Sequence, residues 1–525
     1  MSLRILFFIC FIGNICFAQD TKFAMSAPLD FKDAGTRNSV LCMKNGNTLL
    51  FHTELDKKLV VKVFDNTHKE VASQKVKNNN INFGARDYGI LALYDINDEA
   101  VLFVDRDINS KHTLVRIRFS SHTGEVVDET IVGESKSENR RMRFYLVKHI
   151  EDENYEVLFC ADKNHPRETD MFIVFFDNHH QSIKEIQLPV ERKKFDRIEV
   201  VSAKSRPQGV FVTLSLMQTK EYGLEGSDGP ISERSSKNDH YLQFYYIPFD
   251  TKQLRTTMVE MSSGVFPKFA YFTYNSFAQS LNLLVHSQAE VRMNGYTGNV
   301  RRTLFFKLNE QDFSSIGLME MRNLHANAYL QTHTDTSRIF NGIPLYSYTD
   351  DNGLTTIVSE AENHVESRER INEYYNDRYA QNMGITQIDD DGNEIWGTVL
   401  PLAQYFNSYR SLPVYGWQMM YASVMRKGKE FYIAYNDYNK NFSNTIEKPG
   451  DTVYNFNLTN ACYYKLGKKK EVTKHYLFGE PGPDEYKTSF MYGAGYDEPR
   501  GVFASLMQYR KGDEVSFRMA WGQLE

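Results

Sequence analysis

The feature that most constrains this chain is a unit of short apolar stretches that recurs along nearly its whole length. The first copy reads 48–54 (TLLFHTE), 59–64 (LVVKVF), a polar turn at Asp65-Asn66-Thr67-His68, and 69–76. That is strand, connection, strand, tight turn, strand. The same order returns at 100–104, 114–119, 121–124 and 125–132, and again at 155–160, 171–176, 177–180 and 182–188. A fourth copy occupies 209–214, 241–247, 249–252 and 254–261, and a fifth 281–285, 302–308, 309–312 and 314–321. The sixth runs through 355–358, 384–388, the turn 389–393 and 394–400, and the seventh through 430–435, 461–466, 467–470 and 471–478. An eighth starts at 501–506 and 515–521 and lacks its outer strand.

Each unit follows one more apolar stretch, such as 88–94, 143–147 or 269–274. Four strands per unit, at a spacing of roughly 50 to 75 residues, is the pattern of propeller blades. The fold expected is all-β: a β-propeller of eight four-stranded blades, seven being the alternative, over 19–525 as one domain. A length of 525 residues would otherwise allow several domains, but no Pro/Gly/Ser-rich linker interrupts the rhythm, which disfavours a row of β-sandwiches. The 36 Phe and 32 Tyr gain a role as fillers of the wedges between blades. The segment 21–31 can supply the missing outer strand, so that N- and C-terminal strands close the ring.

Residues 1–18 have the parts of a secretory signal peptide: Arg4, an apolar run from Ile5 to Phe17, and a small-residue exit at Ala18. A secreted or periplasmic location is therefore expected, with no transmembrane segment in the rest of the chain. Cys42, Cys160 and Cys462 then remain, widely spaced among apolar neighbours, which reads as buried hydrophobes and not as a disulfide framework. With 61 Lys plus Arg against 67 Asp plus Glu, the net charge of −6 offers nothing to nucleic acid.

The turn Ile388-Asp389-Asp390-Asp391-Gly392-Asn393-Glu394-Ile395-Trp396 resembles the strand–D-x-x-G-x-x-x-W–strand hairpin of propeller repeats. The whole chain resembles the large secreted propeller proteins of Bacteroidetes-type bacteria, most of them uncharacterised. Only the sixth copy carries the full turn. The WD dipeptide, the kelch glycine pair and the sialidase S-x-D-x-G-x-x-W box do not occur.

In a propeller the connections between second and third strands share one face with the crossings between blades, and ligands usually bind there. Four of these connections read as long: near 217–240, 287–301, 359–383 and 436–460. In the third, Ser359-Glu360-Ala361-Glu362 fits a capping box, and Val365, Ile371, Tyr374, Tyr375 and Tyr379 partly fit a helical face, so a short lid helix is expected. Ends of second strands place oxygen-bearing side chains at Asp105 and Asp107, at Asp162, and at Asn436-Asp437-Tyr438. These residues, with Glu360, Tyr374 and Tyr375, are the candidate ligand contacts. Calcium suits such oxygens, although turn chemistry explains them better and no cofactor is expected. His325, Asn327, Tyr329, Gln331, His333 and Asp335 alternate with smaller residues and read as one side of an inner strand of the sixth blade. An extended strand would separate the two histidines by about 26 Å, too far for one zinc ion.

No H-E-x-x-H, G-x-S-x-G, P-loop or dinucleotide fingerprint occurs. The leading functional expectation is a non-enzymatic propeller binding a protein or glycan on the long-loop face. The alternatives are a carbohydrate-active hydrolase or lyase with carboxylates in the central channel, and an assembly or structural factor of the cell envelope.

Overall fold

The computed structural model describes residues 23–31, 37–54, 58–76, 88–108, 110–135, 142–149, 152–161, 171–191, 194–195, 197–206, 208–221, 236–250, 253–261, 265–293, 296–309, 314–334, 339–367, 375–407 and 422–525. Eight antiparallel sheets form the blades of a ring, each strand pairing with the next in sequence. Blade 1 is Arg37–Cys42, Thr48–Thr53, Leu59–Phe64 and Glu70–Lys75; blade 2 is Tyr88–Ile96, Glu99–Ile108, Lys111–Ser120 and Val126–Glu134. Blade 3 is Met142–Lys148, Tyr155–Ala161, Met171–Phe176 and Ser182–Gln187; blade 4 is Arg197–Arg206, Gly209–Glu221, Ser236–Pro248 and Arg255–Glu260. Blade 5 is Val265–Asn275, Ser280–Met293, Tyr296–Asn309 and Ser315–Met321; blade 6 is Ile343–Thr349, Thr355–Ser367, Tyr375–Ile388 and Glu394–Leu400. Blade 7 is Ser423–Lys427, Glu430–Asp437, Asn460–Leu466 and Val472–Tyr476. In blade 8 the inner strand has two pieces, Glu485–Ser489 and Gly495–Asp497, both on Val502–Lys511; Glu514–Gln523 and Phe23–Met25 follow outward. The expected eight-bladed propeller is the observed fold.

Tight turns between third and fourth strands repeat one piece of chemistry. Asp65 Oδ1 accepts from the backbone N–H of Thr67 (2.9 Å) and Lys69 (3.0 Å). Asp177 Oδ1 does the same with His179 (3.0 Å) and Gln181 (2.8 Å). The residue three positions on turns left-handed: His68 at φ 66°, His180 at 67°, Gly392 at 86°. An Asx side chain thus mimics a backbone turn, which explains why the motif recurs without a fixed glycine.

Every adjacent pair of blades shares its own apolar wedge. Phe51 meets Phe119 between blades 1 and 2 with ring centroids 5.2 Å apart, Phe103 meets Tyr155 between 2 and 3 at 5.4 Å, and Phe211 meets Phe272 between 4 and 5 at 5.2 Å. Between blades 5 and 6 the described part of the wedge centres on Leu284, Phe305, Ile357 and Ile388. Beside it a helix, Leu324–His333, buries Ala326 and Leu330 against Phe340 and Val399. This helix replaces the strand expected over 325–335; the inner strand of blade 6 is Ile343–Thr349 instead. Alternation in a stretch containing Ala326, Ala328 and Leu330 also satisfies a helix, whose inward positions are four apart. Gly397 decides the packing, because a Cβ there would stand 2.8 Å from the Ala326 backbone nitrogen.

The ring closes as the terminal sequences suggested. Phe23, Ala24 and Met25 pair with Gly522, Trp521 and Ala520. The N-terminal segment stays docked beyond that strand, Ser26 N–H donating to Met519 O (2.9 Å) and Leu29 N–H to Phe517 O (2.8 Å). Trp521, 3% exposed, packs on Phe64 and His68 of blade 1 and donates its indole N–H to Thr48 Oγ1 at 3.1 Å. A second tie lies on the inner strands. The residues between the two pieces of blade 8's inner strand reach blade 1, where Val40 N–H donates to Gly493 O (2.7 Å). Gly493 has φ +86° and a Cβ would fall 2.0 Å from Asn38 O, so only glycine fits.

Trp521→Ala should therefore cost about 4 kcal/mol in equilibrium urea unfolding, the usual range for a large aromatic leaving a sealed core. A loss under about 1 kcal/mol would mean the seam does not depend on it. His52, 1% exposed and stacked on Phe31 at 3.7 Å, has its imidazole pKa held down at about 4 by burial and then by the nearby Lys62 ammonium. The unfolded chain takes up a proton below about 6.5 that the native His52 refuses, so stability falls from pH 6.5 to about 4. At about 1.4 kcal/mol per pH unit the loss reaches about 3 kcal/mol, and His52→Gln should flatten the thermal-stability profile over that window.

Candidate binding face

Strands of a meander alternate in direction, so the connections between second and third strands and the crossings between blades emerge at one end, here called the upper face. The second and third strands have 6 and 6 residues in blade 1 and 7 and 6 in blade 3. They have 13 and 13 in blade 4, 14 and 14 in blade 5, and 13 and 14 in blade 6. Six or seven added residues at 3.3 Å each carry these hairpins about 20 Å above their neighbours. The connection expected as a long loop near 287–301 is thus largely ladder, Met293 pairing with Tyr296; of the one near 217–240, the flanks are ladder up to Glu221 paired with Ser236, and 222–235 lie outside the described residues.

The lid helix expected within 359–383 is a paired strand as well. Glu362 to Ser367 pair with Ala380 back to Tyr375, so the capping-box pattern at Ser359–Glu362 loses to a ladder that satisfies the same backbone groups across strands. A further strand, Gln404–Asn407, pairs with Asp377–Ala380, making the upper part of blade 6 three strands wide. The segment from Tyr438 to Thr459 is the one long described connection of the four, built on two short 3₁₀ turns at Asn439–Asn441 and Phe456–Leu458. It docks onto blade 6, where Val453 bridges Gln404 in parallel.

The sequence candidates fall at the upper ends of their blades but in separate places. Asp105 sits where the second strand of blade 2 ends and pairs with His112 Nε2 at 2.5 Å; that imidazole is stacked on Phe144. Burial opposes charge on His112, but the Asp105 hydrogen bond together with the charges of Asp105 and Asp107 outweighs it and raises its pKa. Asp107 is exposed two residues further on. Glu360 is 2% exposed within the blade 6 ladder, an interior position and not a surface contact. Tyr375 opens the third strand of that blade. Asp162 and Tyr374 lie outside the described residues.

Asn436-Asp437-Tyr438 organises the blade 7 connection. Asn436 exchanges both amide hydrogen bonds with the backbone of Ser489 in blade 8, at 2.7 and 2.9 Å. Asp437 Oδ1 accepts from Tyr438 N–H (2.9 Å) and Asn441 Nδ2 (2.7 Å), and its Oδ2 meets Lys474 Nζ at 3.1 Å. The Lys474 ammonium lies 5.5, 5.4 and 5.6 Å from the rings of Tyr435, Phe442 and Tyr464 and also donates to Asn441 O (3.0 Å). Tyr438 Oη accepts from the N–H groups of Tyr454 (3.1 Å) and Asn455 (3.0 Å). Lys474 escaped sequence reading because its partner Asp437 is 37 positions away, and Asn441 because its contacts with Asp437 and Asp451 carry no sequence motif. Asn439-Lys440-Asn441 after Asp437 was the only local sign of a folded connection.

At the opposite, lower end, a cavity of about 520 Å³ lies on blade 4 among Gln208, Tyr246, Phe249, Asp250, Gln253 and Arg255. Nearby, buried Glu156 hydrogen-bonds His149, which stacks on Phe249 at 4.4 Å and meets Asp152 at 2.9 Å. None of the sequence candidates lines this end. Among the described residues no group of three or more His, Cys, Asp or Glu is placed to hold a metal ion.

No family model matches the chain, and no curated protein matches it. Solved structures align with it over long stretches. The WD40 domain of SCAP from fission yeast is similar over 95% of this chain and 98% of its own, at 8% identity and a TM-score of 0.34. A mutant of the Synechocystis apocarotenoid oxygenase is similar over 93% and 94%, at 8% identity and 0.35. A luciferin-regenerating enzyme is similar over 85% and 94%, at 9% and 0.30. Likenesses this loose carry no argument, and the propeller is read from the strand pairing. No helix among the described residues is long and apolar enough to cross a membrane.

Asp437→Ala should destabilise the protein by about 3 kcal/mol, because it strands the buried Lys474 ammonium and removes an acceptor from Asn441. Limited proteolysis should then cut first within 438–459. Adding Lys474→Met should recover most of the loss in urea unfolding, since a buried pair replaced by an apolar group is often neutral.

Proposed function

We propose that the protein is an exported, non-enzymatic propeller that binds a protein or glycan on its upper face. The observation that carries this reading is the raised wall: three consecutive hairpins of 13 or 14 residues per strand and the docked blade 7 connection, all on one side of one face. A propeller core needs none of this length, because the wedges between blades end where the short blades end. Rigid strands hold a surface for recognition more accurately than loose loops would. One feature supports restraint about chemistry: of the sequence candidates, Asp105 and Asp437 are engaged by His112 and Lys474 of the chain itself. Export rests on the signal-like 1–18, and kinship with secreted Bacteroidetes-type propellers rests on the repeat grammar and the Ile388–Trp396 turn.

The test is to trim the wall. Joining Ser287 to Arg302 through an Asn-Gly turn removes the top of the blade 5 hairpin at a paired position, and that dipeptide suits a two-residue hairpin. Thermal stability should stay within a few degrees, because the blade 5 wedge residues Leu281, Leu283 and Val285 are untouched. Capture of peptides or glycans from an arrayed panel should fall at least about ten-fold, a loss of roughly 1.4 kcal/mol. Undiminished capture, or turnover of a glycan abolished by changing an upper-face carboxylate, would overturn the reading.

A further inference from the structure

The base of the blade 7 connection buries three polar side chains of complementary reactivity. Lys474 and Asp437 each leave 10% of the side chain exposed, and Asn441 is 5% exposed. Asp437 ends the second strand of the blade, Lys474 lies on the fourth, and Asn441 closes the first 3₁₀ turn after Asp437. The register puts Asp437 and Lys474 on one face, together with Tyr435, Cys462, Tyr464 and Tyr476. That face packs into the wedge toward blade 6, where Tyr435, Cys462, Tyr464 and Tyr476 join one apolar cluster with Phe442. A charge there is poorly served by solvent.

Asp437 stands between the other two groups. Its Oδ2 is 3.1 Å from Lys474 Nζ, and its Oδ1 accepts from Asn441 Nδ2 at 2.7 Å. Lys474 Nζ also donates to the backbone carbonyl of Asn441, at 3.0 Å, which keeps the amine beside that residue. The Asn441 carboxamide is held in turn from its other side. Its Oδ1 accepts the backbone N–H of Asp451 at 3.0 Å, and its Nδ2 donates to Asp451 O at 2.8 Å. Gly450 presses on the carboxamide, since a Cβ there would fall 2.4 Å from Asn441 Oδ1 and 2.5 Å from its Cγ. A lysine, a proton carrier and a fixed carboxamide with a donor on its oxygen are therefore assembled in one dry place.

We propose that the folded protein joins Lys474 to Asn441 by an amide bond between their side chains. Asp437 takes a proton from the Lys474 ammonium through Oδ2, and an amine enclosed by aromatic rings is a ready nucleophile. The Nζ lone pair attacks Asn441 Cγ and forms the new C–N bond. Negative charge then develops on Asn441 Oδ1, where the Asp451 N–H already donates. Asp437 passes its proton from Oδ1 to Nδ2, the Cγ–Nδ2 bond breaks, and ammonia leaves. The second proton lost by Nζ departs with it as ammonium, so Asp437 ends as a carboxylate and no co-reactant is consumed. Holding the groups in contact replaces an encounter between separate molecules with a step inside one. The ion pair of Asp437 with Lys474 is the state before this bond, so the urea comparison above applies to freshly refolded chains. Once formed, the bond ties two residues 33 positions apart and locks the connection that braces blade 6.

The test follows the intact mass of the full chain after refolding from guanidinium chloride, beside a sample of the same chain left in the denaturant. The folded sample should come to lie about 17 Da below the unfolded one, the mass of ammonia. Digestion should then release one branched peptide carrying both 441 and 474. Lys474→Met and Asn441→Ala should each hold the full mass. Asp437→Asn keeps the size of the side chain but carries no proton, and should slow the loss at least about 100-fold. The wild-type reading decides by itself, whatever the variants do to folding. A folded wild-type chain that keeps the mass of the unfolded one overturns the proposal. So does a gain of about 1 Da, from hydrolysis of Asn441, or a loss of about 18 Da, which would put the bond on Asp437 with water leaving.

Discussion

The wedge of apolar side chains between neighbouring blades is the interaction on which everything else here depends. A four-stranded blade has two apolar faces and no means of covering either by itself, so its stability comes from its neighbours. In a ring the weakest wedge limits the whole, and the join is the one place where no covalent connection between blades supports the wedge. That join is reinforced in three ways. Phe23–Met25 completes the eighth blade, the Trp521 side chain crosses into blade 1, and the Gly493 carbonyl receives the Val40 amide. The wedge at the join includes Leu50 and Phe64 on one side and Leu506, Met519 and Trp521 on the other, so it is as apolar as the rest. Beside the wedge between blades 5 and 6 a helix is pressed onto Gly397 as well.

This division of labour leaves the upper ends of the second and third strands free to vary. Below the top of the short blades each residue is held by two neighbouring blades. Above it, a hairpin answers only to its own pairing, and blades 4, 5 and 6 use that freedom to rise. Raised hairpins carry bare edges, which invite unwanted strand addition. In blade 6 one edge is covered by Gln404–Asn407 and then by Val453 from blade 7. The cost of that cover is a connection that must fold accurately, which is where Asp437, Asn441 and Lys474 are spent.

The candidates read from sequence illustrate what local pattern carries. The turns at Asp65, Asp177 and Asp389 were visible because an Asx turn is a contact over two to four residues. The tryptophan of the Ile388–Trp396 hairpin packs, partly buried, on the cluster between blades 6 and 7. Ser359–Glu362 and 325–335 misled in opposite directions. A capping box proposes a helix where cross-strand partners at 375–380 dictate a ladder, and an alternating stripe proposes a strand where Ala326 and Leu330 pack as a helix. In both cases the local signal was real and a distant partner outweighed it. Asp437 was read as a candidate ligand contact, and its role as the partner of Lys474 depends on a residue 37 positions away.

By itself the sequence determined the propeller rhythm, with eight blades favoured and seven left open, the order of the strands, the supply of aromatic fillers and the place where the ring joins. All of these follow from periodic apolar segments and from turns whose chemistry is local. Only the tertiary structure decided how long the upper hairpins are, which segments pair across blades, and which tyrosine rings meet. Those depend on register between strands far apart in the chain, and a shift of one residue at Gln404–Val453 would part the rings of Tyr405 and Tyr454.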